Sequence, residues 1–160
     1  ILAVIKSLKK FKLYNLILDP VMIAKGGTKL INDNAILHIK KRLMKNTLLI
    51  TPNIPEAEIL TKIKINSVQD MINAGKILIS LGAKNVLIKG GHLTTKKMND
   101  MLSNKKIIKV FKSKKYNSKN THGTGCTLSS SITTYLSCGK DLIRSCELGI
   151  IYVNEAIKSK

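Results

Sequence analysis

Three short apolar runs, each closed by a turn-forming segment and followed by an amphipathic stretch, restrict the folds open to this chain more than any other feature. Tyr14-Asn15-Leu16-Ile17-Leu18-Asp19 stops at Pro20, residues 47–50 stop at Thr51-Pro52-Asn53, and residues 86–89 stop at Gly90-Gly91. Apolar runs of this length between turn residues read as buried strands. Segments with helical spacing lie between them. Residues 33–45 carry it through Ile36, Leu37, Lys40, Leu43 and Met44, and a short helix follows over 55–63. A longer helix is opened by Ser67, with Asp70 as its capping partner, and closed by Gly82. Residues 107–111 read as a further strand, antiparallel or at an edge, and residues 124–137 and 141–157 as the last two helices.

Buried strands alternating with amphipathic helices predict an α/β fold with a parallel sheet covered on both faces. Right-handed crossovers put the C-terminal ends of the parallel strands on one edge, where ligands of such sheets bind. Asp19, the Thr51-Asn53-Glu56 group and Lys89-Gly90-Gly91 all fall on that edge. No repeat, low-complexity block or Pro-rich linker divides the sequence, so residues 1–160 read as a single domain.

The net charge of +19 suggests phosphate neutralisation on a nucleic acid. The kind of charge argues otherwise. Only Arg42 and Arg144 are arginine among 28 basic residues, and the lysines are spread evenly among Ile and Asn, as AT-rich codon usage would produce. Nucleic-acid readers favour Arg with interleaved aromatics, and aromatics are 4% here. The expectation is therefore no nucleic-acid function, with the charge helping to attract a small anionic substrate. Cys126, Cys138 and Cys146 have no CxxC spacing, which argues against a disulfide framework or zinc site and fits the cytoplasm. No apolar stretch is long enough to span a bilayer. No secretory pattern opens the chain, and its first residue is Ile1, which reads as a removed leader or a fragment.

The chemistry concentrates at Thr121-His122-Gly123-Thr124-Gly125-Cys126-Thr127, just ahead of a helix. Glycines let backbone N–H groups approach a ligand, and a helix start adds unpaired donors and partial positive charge. Together these suit a phosphoryl group. A Gly-rich turn capped by Thr is the plain alternative. A thiolate is favoured at a helix start, so Cys126 is a candidate to take a proton from an attacking hydroxyl, or simply a small residue that fits. Asn53 and Glu56 share a first helical turn and could hold magnesium through water, or could be only an Asn cap and a dipole-favoured Glu. Asp19 at a strand end could bind metal water or begin a loop. Lys89 beside two glycines could neutralise ATP phosphates or sit at a tight turn. The P-loop pattern GxxxxGK[ST] and the protein-kinase motif set are both absent.

The order of these pieces is more specific than any one of them. Leu18-Asp19-Pro20-Val21-Met22-Ile23-Ala24-Lys25, Thr51-Pro52-Asn53-Ile54-Pro55-Glu56-Ala57-Glu58, the run from Leu81 through Lys89-Gly90-Gly91-His92, and Asn120 to Ser129 resemble the hydroxymethylpyrimidine/phosphomethylpyrimidine kinases of thiamine biosynthesis. The resemblance covers essentially the whole chain. It implies a ribokinase-like three-layer sandwich with a mostly parallel central sheet, and phosphorylation of hydroxymethylpyrimidine and then its monophosphate with ATP and Mg2+. It implies that Gly123, Thr124 and Gly125 form an anion hole and that Cys126 stands at the general-base position. It links Asn53 and Glu56 to magnesium and phosphate, sets Asp19 and Thr51 near the metal and phosphates, puts Lys89 at the nucleotide edge, and lets Val21 touch the pyrimidine. Gly26-Gly27 stands where the family often has Ser-Gly.

The family begins with a further N-terminal portion that carries the first strands and much of the pyrimidine pocket, so the chain resembles the C-terminal part. That implies exposed sheet edge, weak nucleotide binding and little turnover for this polypeptide alone. A homodimer is a family expectation. Pyridoxal kinase of the same fold and a non-catalytic remnant are the competing readings. If the charge is only compositional, random duplex DNA should bind negligibly near physiological salt. Tight binding of random DNA at that salt would reverse the reading.

Overall fold

The computed structural model describes residues 1–13, 15–24, 27–93, 97–116 and 123–159. One sheet carries five strands in the order β1 (Ile17–Leu18), β2 (Leu49–Ile50), β3 (Asn85–Ile88), β4 (Lys97–Asn104) and β5 (Ile108–Lys114). β1, β2 and β3 run parallel, with Leu18 beside Ile50 and Ile50 beside Val86. β4 and β5 are antiparallel additions, with Ile88 facing Met101 and Met101 facing Val110. The helices are α1 (Leu2–Lys10), α2 (Asp33–His38), α3 (Ile54–Thr61), α4 (Val68–Ser80), α5 (Thr124–Ser137) and α6 (Leu142–Lys158).

The period of two along the strands sorts the core into two faces. Ile50, Val86, Ile88 and Met101 belong to a cluster that takes in α1 to α4, including Leu8, Ile36, Leu60 and Leu78. Leu49, Leu87, Leu102 and Phe111 belong to the other, with Leu128 and Ile132 of α5 and Ile150 and Val153 of α6. The sheet is thus the middle of three layers, the sandwich expected from the sequence. Each fully buried side chain of this size contributes about 1.5–3 kcal/mol.

Local chemistry sets the helix ends. The Ser67 hydroxyl accepts from the Asp70 backbone N–H, and Asp141 accepts from that of Arg144. α3 ends where Lys62 turns left-handed, at φ 65°. The helical stretch over 33–45 is present but changes pitch. It is α-helical only to His38, then π-helical over Ile39–Leu43 and 3-10 over Met44–Asn46. Leu37 consequently stays exposed while Ile39 is buried.

Two elements stand beyond those expected from the sequence. α1 buries Ile5 and Leu8. β4 reads as polar, Lys97-Met98-Asn99-Asp100-Met101-Leu102-Ser103-Asn104, yet residues 99–103 are all buried. A strand covered on both faces loses its alternation, and here its polar residues are buried along with the apolar ones.

α5 and α6 pack closely because Gly149 has no side chain. A Cβ there would sit 2.8 Å from Ile132 Cγ1 and 3.3 Å from Leu128 Cδ1. Gly149→Val should therefore push the helices apart and destabilise the fold by about 1–3 kcal/mol, read from the midpoint of urea unfolding. An unchanged midpoint would show that this packing is slack.

Candidate active site

Parallel strands bring three loop starts to one edge of the sheet. Asp19 follows β1, Thr51 follows β2 and Lys89 follows β3. Lys89 is tied into place by its own N–H, which donates to Pro52 O at 2.9 Å. Its Nζ donates to Asp19 Oδ1 at 2.8 Å, and both side chains are largely buried, at 15% and 13% exposure. The Thr51 hydroxyl lies 3.3 Å from the same Asp19 oxygen and 3.0 Å from Ser129 Oγ on α5. One carboxylate therefore links three strands to the helix that follows the Gly-rich turn.

α5 begins directly above this pair. Gly123 precedes its first turn at φ 77°, a left-handed conformation that favours glycine. Gly125 faces the ion pair, and a Cβ there would lie 3.0 Å from Lys89 Nζ and 3.5 Å from Asp19 Oδ2. Having no side chain, Gly125 keeps its backbone open next to a cation, and the first-turn N–H groups of α5 add partial positive charge.

Asp19, Val21, Asn53, Glu56, Lys89, Gly123, Thr124, Gly125 and Cys126 all line one cleft of about 600 Å3. Thr51 does not line it. It is fully buried behind Asp19, where it supports the carboxylate rather than facing the cleft. Val21 and Cys126 are exposed. His122 and Thr121, and Gly26 of the Gly26-Gly27 pair, lie outside the described residues.

Asn53 and Glu56 form a complete capping box. Asn53 Oδ1 accepts from the Glu56 N–H at 2.9 Å, and Glu56 Oε2 accepts from the Asn53 N–H at 2.8 Å. The helix cap considered for this pair is thus real, and it holds the Glu56 carboxylate against the cleft. Burial pushes the Glu56 carboxyl above the usual range, opposed by the Asn53 N–H and by Lys89. Among the described residues no three His, Cys, Asp or Glu side chains group as a ligand set. Asp19 and Glu56 nevertheless offer hard oxygen donors in one cleft, and magnesium is commonly held by one or two carboxylates with water completing its shell. The donor set fits such an ion.

Two further residues of the cleft were not anticipated. Asp100 on β4 accepts from the Gly90 N–H at 2.8 Å. β4 runs against β3, so its N-terminal half returns to the edge where the parallel strands end. Gly90 has no room for a side chain, since a Cβ would collide with the Asn99 carbonyl oxygen. Burial raises the Asp100 carboxyl to about 6 against the Gly90 N–H and the Lys89 charge. Asn154 on α6 is the second, and its only sequence signal is an amide inside an apolar helix stripe. His92 beside this turn is held below its ordinary value by burial and then by Lys89 and Lys115. Cys146, pushed up to about 12 mainly by burial, is an inert core thiol.

Residues 1–160 match the family model described as phosphomethylpyrimidine kinase. The chain is 40% identical over 156 residues to the hydroxymethylpyrimidine/phosphomethylpyrimidine kinase of Aquifex aeolicus, covering 98% of this chain and 61% of that protein. The crystal structure of phosphomethylpyrimidine kinase from Clostridium difficile 630 superposes with a TM-score of 0.83 at 44% identity, covering 98% of this chain and 63% of that one. The ADP complex of Bacillus subtilis pyridoxal kinase gives a TM-score of 0.90 at 32% identity, covering 98% and 59%. The chain spans about three fifths of the length of these proteins.

The raised Asp100 carboxyl has a consequence for stability. A group whose folded value lies above its unfolded one stabilises the fold while protonated, and this contribution disappears as pH rises through the folded value. Between pH 4 and pH 7 the protein should lose on the order of 3 kcal/mol through this one group. Asp100→Asn cannot titrate, so the stability difference between parent and variant, followed by urea unfolding, should change by that amount across this interval. A pH-independent difference would mean that Asp100 ionises normally.

Proposed function

The chain belongs to the phosphomethylpyrimidine kinase family, and from that premise we propose that it forms the phosphate-handling part of a kinase that transfers the γ-phosphoryl group of ATP to hydroxymethylpyrimidine and then to its monophosphate, in thiamine biosynthesis. The observation that carries this is the meeting of Gly125, Lys89 and Asp19 at the start of α5. A helix start whose glycine faces a largely buried lysine is suited to a transferring phosphoryl group.

In the proposed reaction the hydroxymethyl oxygen attacks the γ-phosphorus. The new O–P bond forms as the bond from phosphorus to the β–γ bridging oxygen breaks, and ADP leaves. Cys126 is the base that takes the hydroxyl proton in this reading. The backbone amides at Gly123, Thr124, Gly125 and Cys126 stabilise charge on the phosphoryl oxygens, and Lys89 neutralises the phosphates. Asp19 and Glu56, with Asn53 reached through water, would hold Mg2+, which supplies further charge neutralisation when bound. Thr51 fixes Asp19, and Val21 lies at the pyrimidine side of the cleft. Residues 1–160 act as one unit in this reading, in the cytoplasm, with a homodimer as the family expectation.

A pyridoxal kinase is the second reading, favoured by the TM-score of 0.90 to the Bacillus subtilis enzyme. Both readings share the phosphate site and differ in the acceptor. Turnover is measured as ADP release in a polypeptide of the relatives' full length that carries this chain, with each acceptor in turn. Hydroxymethylpyrimidine should be the better substrate, and a preference for pyridoxal would select the second reading. Cys126→Ala should lower kcat by about 10^2–10^4-fold and leave ADP affinity nearly unchanged. Undiminished turnover in that variant would remove Cys126 from the mechanism.

A further inference from the structure

The inward face of α6 is formed by residues one and two turns apart, and one of them is chemically out of place. Ile150, Val153, Asn154 and Ile157 stand at i, i+3, i+4 and i+7 and all line the cleft. Three are apolar and the fourth is an amide. Asn154 is 92% buried, with 8% exposure, and its Oδ1 has no hydrogen-bond partner among the described residues. Leaving a buried polar atom unpaired costs about 1–3 kcal/mol. A leucine there would continue the apolar stripe without that cost, so the fold alone does not account for the amide.

We infer that Asn154 is the residue that selects the base of the nucleotide, and that it recognises adenine. This rests on the reading of the cleft as a nucleotide site. Adenine presents an exocyclic N–H donor beside a ring-nitrogen acceptor, the pattern that one Asn amide matches with its oxygen and its nitrogen. On the edge formed by the exocyclic group and N7, hypoxanthine presents two acceptors and leaves the amide oxygen without a donor. Leu128 on α5 and Ile150, Val153 and Ile157 on α6 supply an apolar wall for a flat ring. The close approach of the two helices at Gly149 fixes that wall. The phosphate-binding residues are all carried by strand ends and by the start of α5, so base and phosphates are read by different elements.

The test is a calorimetric titration, in magnesium buffer, of a polypeptide of the relatives' full length that carries this chain, with ADP and with inosine diphosphate, for the parent, Asn154→Leu and Asn154→Ala. The parent should prefer ADP. Each variant should lose about 10–100-fold in ADP affinity with inosine diphosphate affinity unchanged, so that the preference collapses. The melting temperature of Asn154→Leu should match or exceed that of the parent, since an unpaired amide has been removed. Asn154→Ala provides the same comparison if the leucine disturbs the packing. An unaltered ratio of the two affinities, or an equal loss of both, would overturn the assignment and leave Asn154 a packing residue. Failure of the parent to bind either nucleotide would overturn the nucleotide reading of the cleft, and this assignment with it.

Discussion

The ion pair between Lys89 and Asp19 is the constraint on which the rest of this edge depends. Neither charge is free to move to water, and each is held by a second contact. Lys89 is held through the Pro52 carbonyl and Asp19 through the Thr51 hydroxyl. The pair can be only where it is if three strands run parallel and stop in step. The start of α5 then has to come down onto a filled site, and a side chain at 125 would crowd the tip of Lys89. The glycine, the lysine and the carboxylate are therefore one solution to one packing problem. That solution leaves backbone donors and a cation facing a cleft. Breaking a partly buried pair on one side strands the other charge, which is why such a pair acts as a geometric fixture more than as a source of stability.

The cleft divides by chemistry. Its charged end is built from loop starts on the sheet edge, where charge and backbone donors are plentiful. Its other wall is a helix face from the opposite layer, where contacts are apolar apart from the Asn154 amide. A single elongated ligand with an anionic end and an aromatic end would satisfy both walls. The layered construction explains how one cleft comes to have such different ends.

Most of the architecture is legible in the sequence because apolar runs and their punctuation are direct consequences of burial. The three parallel strands and the helices over 124–137 and 142–158 are of this kind, and so are the caps at Ser67 and Asp141. β4 escapes because its burial leaves no period, whereas α1 does carry helical spacing in Ile5 and Leu8. β4 has five consecutive buried residues, three of them polar, so neither alternation nor hydrophobicity marks it. Asp100 was hidden for the same reason, since it reaches the site on a strand that runs the other way. The site residues on strand ends were legible because parallel topology alone assembles them. Thr51 could be placed on that edge by that argument, but not behind Asp19, where it meets Ser129 of α5. The hydrogen bonds with which Asn53 and Glu56 cap α3 also hold the Glu56 carboxylate at the cleft.

The two margins of the sheet among the described residues are guarded in opposite ways. β1 is only two residues long and offers little ladder to an intruding strand. β5 is seven residues long and carries exposed lysines at 109, 112 and 114, with Ile108 exposed beside them. Lysine on an open strand deters a second chain from pairing there, because two such margins would have to bring like charges together. That guard is electrostatic and so can be disarmed without touching the fold. Heparin, polyphosphate or any other flexible polyanion would mask the lysines, and strand-to-strand aggregation would then begin at β5. The cationic surplus that looks like mere codon drift thus also bears on how this strand would meet another chain.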